Sequence, residues 1–329
     1  MAGRGSRLRP HTLTTPKPLI PIAGKPIVQR LVEDIVGVCG QKVDEIAFII
    51  GDFGKETEQN LINIAEELGA AGSIYYQDQP LGTAHAILCA KKSLSGNVVI
   101  AFADTLFKAD FTLDSKKDGI IWVSQIEDPS SFGVVKLDEN NMITEFVEKP
   151  NTFVSDLAII GIYYFKDGEY LKNELQHLID NNIKEKGEFQ LTNALENMKN
   201  KGSKFFPGQV DEWLDCGNKK ATVYTNKRIL EHLKEENLIS SSAILENTKI
   251  IPPCFVGKDA RITNSTIGPH VSIGRSTVVE GSTIKNSIIQ NSTQIINAII
   301  SQSMLGSEVF FDGKNIEQEV SIGDFSEIR

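Results

Sequence analysis

Apolar positions along the first 236 residues switch period repeatedly, and the switches alternate. Runs such as Ile46-Ala47-Phe48-Ile49-Ile50 and Val98-Val99-Ile100-Ala101-Phe102 have strand length and β-branched content. Between the runs, apolar residues recur three and four apart. Pro26 can open a helix at its first turn, with Ile27, Leu31, Ile35 and Val38 on one face. Residues 55–68 predict an amphipathic helix stopped at Gly69, then a strand over 73–76 and a helix over 83–92. Such alternation predicts a mostly parallel sheet with helices on both faces. From 119 to 165 the strand candidates crowd together (IIWVS, GVVKL, ITEFV, LAIIGIYYF), which predicts antiparallel additions at one edge. Helices over about 168–181, 189–199 and 217–236 complete a three-layer α/β domain.

Near residue 238 the pattern changes. Both tryptophans and all six tyrosines precede that point. Beyond it Val256, Ile262, Ile267, Ile273, Val279, Ile284 and Ile289 recur at steps of five or six, with Gly, Ser, Thr and Asn between them. That spacing is too regular for loops and too short for helix pairs. It predicts a hexapeptide β-helix, in which one apolar residue per face stacks into a narrow core. At about 18 residues per coil the tail holds four or five coils. The domains are therefore expected over 1–238 and 239–329, and the thin solenoid is expected to lean on the large domain or on another subunit.

Composition narrows the class. Hydrophobic residues at 40% and charged residues at 23% of 329 exclude a disordered or collagen-like chain. No apolar run approaches the ~20 residues of a membrane span, and no apolar signal core follows Met1. Cys39, Cys89, Cys216 and Cys254 form no CxxC pair, which fits a reducing cytoplasm better than a zinc ribbon or a disulfide framework. The net charge of -9 disfavours nucleic acid as a partner. A soluble cytoplasmic protein is expected, away from membranes.

The charge is uneven. Residues 1–32 contain Arg4, Arg7, Arg9, Lys17, Lys25 and Arg30 and no acidic residue. On an acidic chain this basic, Gly- and Pro-rich opening suits a small polyanion, although a solvated terminus would have the same composition. In Ala2-Gly3-Arg4-Gly5-Ser6-Arg7-Leu8, alternate glycines let backbone N–H groups approach phosphate oxygens, and arginine supplies forked donors. Lys17 is held between Pro16 and Pro18. Leu8 leaves GxGxxG incomplete, and Leu19 and Pro26 break a P-loop around Gly24-Lys25, so neither a dinucleotide-binding fold nor a P-loop ATPase is supported.

The opening AGRGSRL, PKPL and GKPI closely resembles the signature of the sugar-nucleotide pyrophosphorylases, the nucleotidyltransferases acting on sugar 1-phosphates. Five further motifs follow in that family's order: Gln77-Asp78-Gln79-Pro80-Leu81-Gly82-Thr83-Ala84, Phe102-Ala103-Asp104, Phe132-Gly133-Val134, Glu148-Lys149-Pro150 and Trp213-Leu214-Asp215-Cys216-Gly217. The resemblance is to the glucose-1-phosphate thymidylyl- and uridylyltransferase type with a C-terminal left-handed β-helix. It implies a Rossmann-like mixed-sheet nucleotidyltransferase domain followed by a small left-handed parallel β-helix.

The implied reaction is attack by a sugar-phosphate oxygen on the α-phosphorus of a nucleoside triphosphate, with pyrophosphate leaving. A phosphate monoester is largely ionised at pH 7, its second pKa being about 6, so no general base is needed. The requirement is charge neutralisation and alignment. By resemblance Arg7 sits on the β- and γ-phosphates and Lys17 on the α-phosphate, both as catalytic residues. Ala2, Gly3, Gly5, Ser6, Gln77, Gly82 and Thr83 bind the nucleotide. Gly133, Glu148, Lys149 and Gly161 bind the sugar phosphate, and Asp104 and Asp215 hold Mg²⁺. Gln77 stands five residues before Gly82, the family's spacing for reading a pyrimidine, and an amide offers the donor and acceptor that a uracil or thymine edge needs. The expected substrates are dTTP or UTP with a sugar 1-phosphate, glucose 1-phosphate foremost, and the expected assembly is a homo-oligomer assisted by the β-helix.

Plainer readings stand beside these. Asp104 could be a helix N-cap, Asp215 a surface turn residue, Glu148-Lys149 a solvated ion pair and Gln77 a strand end. His270, the single histidine of the repeat, reads as a turn residue rather than an acyltransferase base. Two departures matter. Relatives run a short apolar strand into the glycine loop, whereas only Met1 precedes Ala2, so an empty sheet position is expected, from a start internal to a longer chain or from a damaged domain; the first is favoured. Ala103 also replaces the usual glycine before the metal-binding aspartate. A nucleotide- or sugar-sensing homologue with impaired catalysis, and a bifunctional enzyme with an acyltransferase β-helix, are the alternatives.

Overall fold

The computed structural model describes residues 5–109 and 113–329. In chain order its elements are a small antiparallel hairpin, β1 (Pro21–Ile22) and β2 (Lys25–Pro26), then α1 (Ile27–Cys39), β3 (Glu45–Ile50), α2 (Lys55–Glu67), β4 (Ala71–Tyr76) and α3 (Thr83–Cys89). There follow β5 (Val98–Ala101), β6 (Thr105–Lys108), β7 (Gly119–Gln125), β8 (Gly133–Leu137), β9 (Ile143–Glu148), β10 (Leu157–Phe165), α4 (Gly168–Asp180) and α5 (Leu191–Asn200). Last come β11 (Phe205–Gln209), β12 (Glu212–Asp215), α6 (Lys219–His232) and sixteen short strands, β13 (Ile244–Glu246) to β28 (Glu327–Ile328). Packing groups the described residues into two units, one within 31–213 and the other formed by 5–30 with 214–329.

In the first unit the nine-residue strand β10 organises the sheet. Its whole length runs antiparallel to β7, while its opposite edge pairs with β8 at Ala158 and with β5 over Ile162–Phe165. The β7–β10 register shifts between Ile159 and Tyr163, where Gly161 takes φ +84°, so the strand bends at a residue without a Cβ. β9 extends the sheet antiparallel to β8, and β11 lies parallel on the far side of β7. The sheet is mixed, and the expectation of a mostly parallel one is too strong. β3 and β4 pair in parallel as a separate sheet.

Residues of alternate parity on these strands serve two faces. Ile121, Val123, Tyr163 and Phe165 pack with α3, α4 and α5 through Ala84, Leu171, Leu175, Leu191 and Leu195. Trp122, Val99 and Ile162 line a small apolar cavity with Ile35, Val38 and Cys39 of α1. Three layers result. β11 escaped sequence reading because Pro207-Gly208 punctuates it. As an edge strand it tolerates a missing N–H, and a Cβ on Gly208 would stand 2.8 Å from the Trp122 ring.

In the second unit the strands from β13 onward form three parallel sheets of six, five and five strands. Ile244 pairs with Arg261, Arg261 with Val278, Val278 with Gln294, Gln294 with Phe310 and Phe310 with Glu327, so one coil takes 16 or 17 residues. Ile262, Val279, Ile295 and Phe311 stack on one face, Ile267, Ile284 and Ile300 on the second, and Val256, Ile273, Ile289 and Leu305 on the third. The corners explain the small polar residues between them. Asn247, Asn264, Gly281 and Asn297 take positive φ at one corner, and Asp259, Ser276, Ser292 and Glu308 at another. Among the described residues no helix is long and apolar enough to cross a membrane.

Candidate active site

The first unit holds two clusters of the residues singled out by sequence. In one, the chain leaves β4 through Gln77, whose N–H donates to the Ile50 carbonyl at 2.9 Å. The Gln77 amide turns back on its own loop, Nε2 donating to the Gly82 carbonyl at 3.1 Å and lying 3.2 Å from Nδ1 of His85. Burial pushes the His85 imidazole below its usual range. Gly82 has φ +113°, and a Cβ there would stand 2.4 Å from the Phe189 carbonyl oxygen. The loop is stitched to the segment before α5: Phe189 N–H donates to Leu81, Ala84 N–H to Phe189, and Leu191 N–H to the Thr83 hydroxyl, each at 2.9 Å.

The second cluster lies where β8 meets β9. Gly133 is the register partner of Glu148, and a Cβ on it would come within 3.2 Å of Glu148 Oε2 and 3.3 Å of Thr192 Cγ2. Thr192 Oγ1 donates to Glu148 Oε2 at 3.2 Å, and Lys149 Nζ stands 3.4 Å from the other carboxylate oxygen. The Glu148 side chain is 11% exposed, so a solvated surface pair is not its setting. Lys149 has φ +42°, an unfavourable left-handed conformation for a lysine. Below it Tyr163 is buried, and burial, reinforced by Glu148, raises its phenol far above the ordinary value, so it stays neutral. Gly161, two residues earlier, accepts from the Phe102 N–H at 2.9 Å.

Asp104 lies in the tight turn between β5 and β6, so the chain enters a strand there and the helix N-cap reading fails. Next to it Thr105 is buried; it donates to the Ile160 carbonyl at 2.9 Å and accepts from Trp213 Nε1 at 2.7 Å. Ala103 is almost fully buried.

In the second unit Gly5 takes φ +58° and starts a 3-10 turn over Ser6–Leu8. The Gly5 carbonyl accepts from the Leu8 N–H at 2.9 Å and from the Thr12 hydroxyl at 2.8 Å. Leu8 is buried, whereas Ser6 and Arg7 are exposed. The loop folds back so that a Cβ on Gly5 would lie 3.2 Å from Lys17 Cβ. Arg7 and Asp215 meet at Gly217: a Cβ there would be 2.9 Å from Asp215 Oδ1 and 3.4 Å from Arg7 Nη2. The Asp215 carboxylate accepts from the Gly217 N–H at 2.9 Å, the aspartate turn expected of a plain turn residue, while its carbonyl accepts from Thr225. Ala2 and Gly3 lie outside the described residues.

His270 is a turn residue, with φ +62° at a coil corner. Its Nδ1 lies 3.0 Å from Asn286 Oδ1, and its Nε2 pairs with Glu231 of α6. Sequence reading missed Gln190 and Thr192, both buried and both bonded to residues it had selected. The signal was a polar Gln-Leu-Thr at a helix start, where capping alone would explain it.

A donor set for a divalent cation can be judged by its chemistry. Among the described residues no three His, Cys, Asp or Glu gather into a group that could hold a metal ion. A carboxylate is a hard oxygen donor, the type that would suit Mg²⁺.

Comparison with known proteins places the chain in a family. The family model described as nucleotidyl transferase matches residues 1–232. The low-salt glycan biosynthesis nucleotidyltransferase Agl11 of Haloferax volcanii is 30% identical over 92% of this chain and 90% of its own. A glucose-1-phosphate thymidylyltransferase of Streptomyces antibioticus is 27% identical, covering 93% and 90%, and the bifunctional protein GlmU of Methanococcus vannielii is 29% identical, covering 98% and 80%. Among solved structures, UDP-glucose pyrophosphorylase with UDP-glucose shares the fold at a TM-score of 0.56 and 23% identity, over 70% of this chain and 96% of that one.

Proposed function

The chain belongs to the nucleotidyl transferase family, and from that premise we propose that it joins a pyrimidine nucleoside triphosphate to a sugar 1-phosphate. The products are an NDP-sugar and pyrophosphate. The observation that carries the sugar-phosphate half is the Glu148 carboxylate, nearly buried between Gly133, Thr192 and Lys149. A buried carboxylate accepts hydrogen bonds from sugar hydroxyls, the adjacent ammonium pairs with the phosphate, and the absent Cβ at Gly133 leaves room for a ring. One relative's name, glucose-1-phosphate thymidylyltransferase, favours dTTP with glucose 1-phosphate, and UTP is the other pyrimidine triphosphate the Gln77 reading allows.

The phosphate nucleophile arrives already ionised, so no side chain has to remove a proton. Arg7 neutralises charge on the β- and γ-phosphates as pyrophosphate departs, and Lys17 does so at the α-phosphate. The backbone at Gly5 and Ser6 approaches phosphate oxygens, with Ala2 and Gly3 continuing that contact. Gln77 and Gly82 read the pyrimidine edge, and Thr83 braces their loop. Gly161 bends β10 beside the Phe102-Ala103-Asp104 turn. Asp104 and Asp215 would hold Mg²⁺, which supplies charge neutralisation to the phosphates when bound. Family members of this kind generally use a divalent metal.

The test is pyrophosphate release with Mg²⁺, crossing dTTP, UTP, ATP and GTP against glucose, N-acetylglucosamine and mannose 1-phosphates. Turnover confined to a pyrimidine triphosphate supports the proposal. Binding of nucleotide without turnover by any pair would instead favour a sensing homologue.

A further inference from the structure

The loop that carries Arg7 and Lys17 has little structure of its own. Between Gly5 and Leu19 the backbone bonds seen among the described residues are short-range turn bonds, such as His11 N–H to Leu8, Leu13 N–H to Pro10 and Leu19 N–H to Pro16. Three prolines, Pro10, Pro16 and Pro18, remove donors. A segment so poor in internal bonds needs outside anchors to keep one conformation.

The β-helix supplies them at two places, within the second unit. At the first, His11 is fully buried with Nε2 3.0 Å from the Ser321 hydroxyl, while its Nδ1 has no hydrogen-bond partner among the described residues. Thr14 donates to the Asp324 carboxylate, and Thr15 Oγ1 lies 3.4 Å from the same oxygen. The other Asp324 oxygen accepts from Ser307 N–H at 2.8 Å, so one carboxylate joins loop to coil. Between these contacts Pro10 presses on Gly323, where a Cβ would stand 2.9 Å from Pro10 Cβ. At the second place, Asn226 Oδ1 accepts from Ala23 N–H at 2.9 Å and from the Ser272 hydroxyl at 2.7 Å. Gly24 meets the Phe255 ring so closely that a Cβ would fall 2.3 Å from it.

Lys17 thus lies between an anchor on the last coil and an anchor on the first ones, and Arg7 lies just before the former. We propose that the β-helix is the positioning scaffold of the phosphate loop, with Ser321, Gly323 and Asp324 as positioning residues that hold Arg7 and Lys17 ready for the triphosphate. This rests on the role given to Arg7 and Lys17 above. Pre-set geometry of this kind lowers the ordering cost of the reacting complex.

The experiment uses the full chain with Ser321→Ala, Gly323→Ala, Asp324→Ala and Asp324→Asn, and Glu327→Gln as a last-coil control away from the loop. Hydrogen exchange over residues 8–15, measured without substrate, is expected to quicken about tenfold in Gly323→Ala and Asp324→Ala, with the melting temperature nearly unchanged. In the same two variants kcat/KM for the triphosphate is expected to fall about tenfold while the KM for sugar phosphate stays within about twofold. Asp324→Asn, which keeps an acceptor, should stay close to the parent, as should Glu327→Gln. Unchanged exchange in the two disruptive variants overturns the scaffold, whatever the activity. Faster exchange with unaltered triphosphate kinetics overturns its link to the reaction, as does a parallel loss for both substrates tracking the melting temperature. If the parent turns over no substrate pair, the functional reading fails, and the exchange measurement alone decides whether the coil holds the loop.

Discussion

Thr192, in the first turn of α5, donates its hydroxyl to the carboxylate of Glu148, the last residue of β9, at 3.2 Å, so a helix start and a strand end converge on one acid. That bond fixes which way the carboxylate faces. Thr192→Val keeps the volume and removes the donor. The expected result is a rise of about five- to tenfold in the KM for sugar 1-phosphate with kcat nearly unchanged, since one hydrogen bond to a charged group is worth about 1.5–3 kcal/mol at most. Steady-state kinetics in both substrates check it.

Gly82 and Gly96 both have positive φ, yet their surroundings differ. A Cβ on Gly82 would collide with the Phe189 backbone, whereas one on Gly96 meets nothing within 4 Å. Gly82→Ala is expected to destabilise by about 2–4 kcal/mol and Gly96→Ala by about 1 kcal/mol, the cost of the left-handed backbone alone. Urea unfolding of the two variants separates the two effects. Equal losses would mean that the contact with Phe189 relaxes freely.

The Gln77 amide donates through Nε2 to Gly82 O, 3.1 Å away, and in the proposed reaction its carbonyl end is left to accept from a base. Gln77→Ala is expected to lower the preference for pyrimidine over purine triphosphates about tenfold in kcat/KM, read by competing dTTP, UTP, ATP and GTP.

Asp104 and Asp215 carry the metal in the proposed reaction. Asp104→Ala and Asp215→Ala are each expected to lower kcat on the order of a thousandfold, and chelation should silence the parent until Mg²⁺ is restored. Asp215→Ala also removes the bond to Gly217 N–H, at about 1 kcal/mol, so its melting temperature should drop, which calorimetry beside kinetics checks.

His11 is held neutral. Burial lowers its pKa from 6.5 to about 4, with Asp324 pulling it up and Lys219 pushing it down. The unfolded chain therefore binds a proton on His11 at a pH where the native state does not. The stabilising effect is complete above pH 6.5 and is lost as pH falls to about 4, by up to about 3 kcal/mol. His11→Asn, which cannot titrate, should show a flatter stability curve over that range in denaturant titrations at stepped pH.

Much of this architecture was legible as pattern. Runs such as Ile46–Ile50 and the five- and six-residue steps after Val256 are local, period-bearing signals, and the helix starts at Lys55, Thr83 and Gly168 fall where the apolar stripes begin. β11 was hidden by Pro207-Gly208, because only an edge position beside β7 makes that dipeptide compatible with a strand. Residue types alone marked out the basic opening, whereas Glu148-Lys149 and the two aspartates were singled out only by resemblance to a family's motifs, since each also has a plainer reading as an ion pair or a turn residue. What the chain could not declare is which residues stand behind them. Thr192 behind Glu148, Phe189 behind Gly82 and Ser321, Gly323 and Asp324 behind His11 and Pro10 are contacts between segments 44 to more than 300 residues apart. Periodicity reports only which face a residue occupies. The partner on that face is set by how separate elements pack, and that is decided in three dimensions.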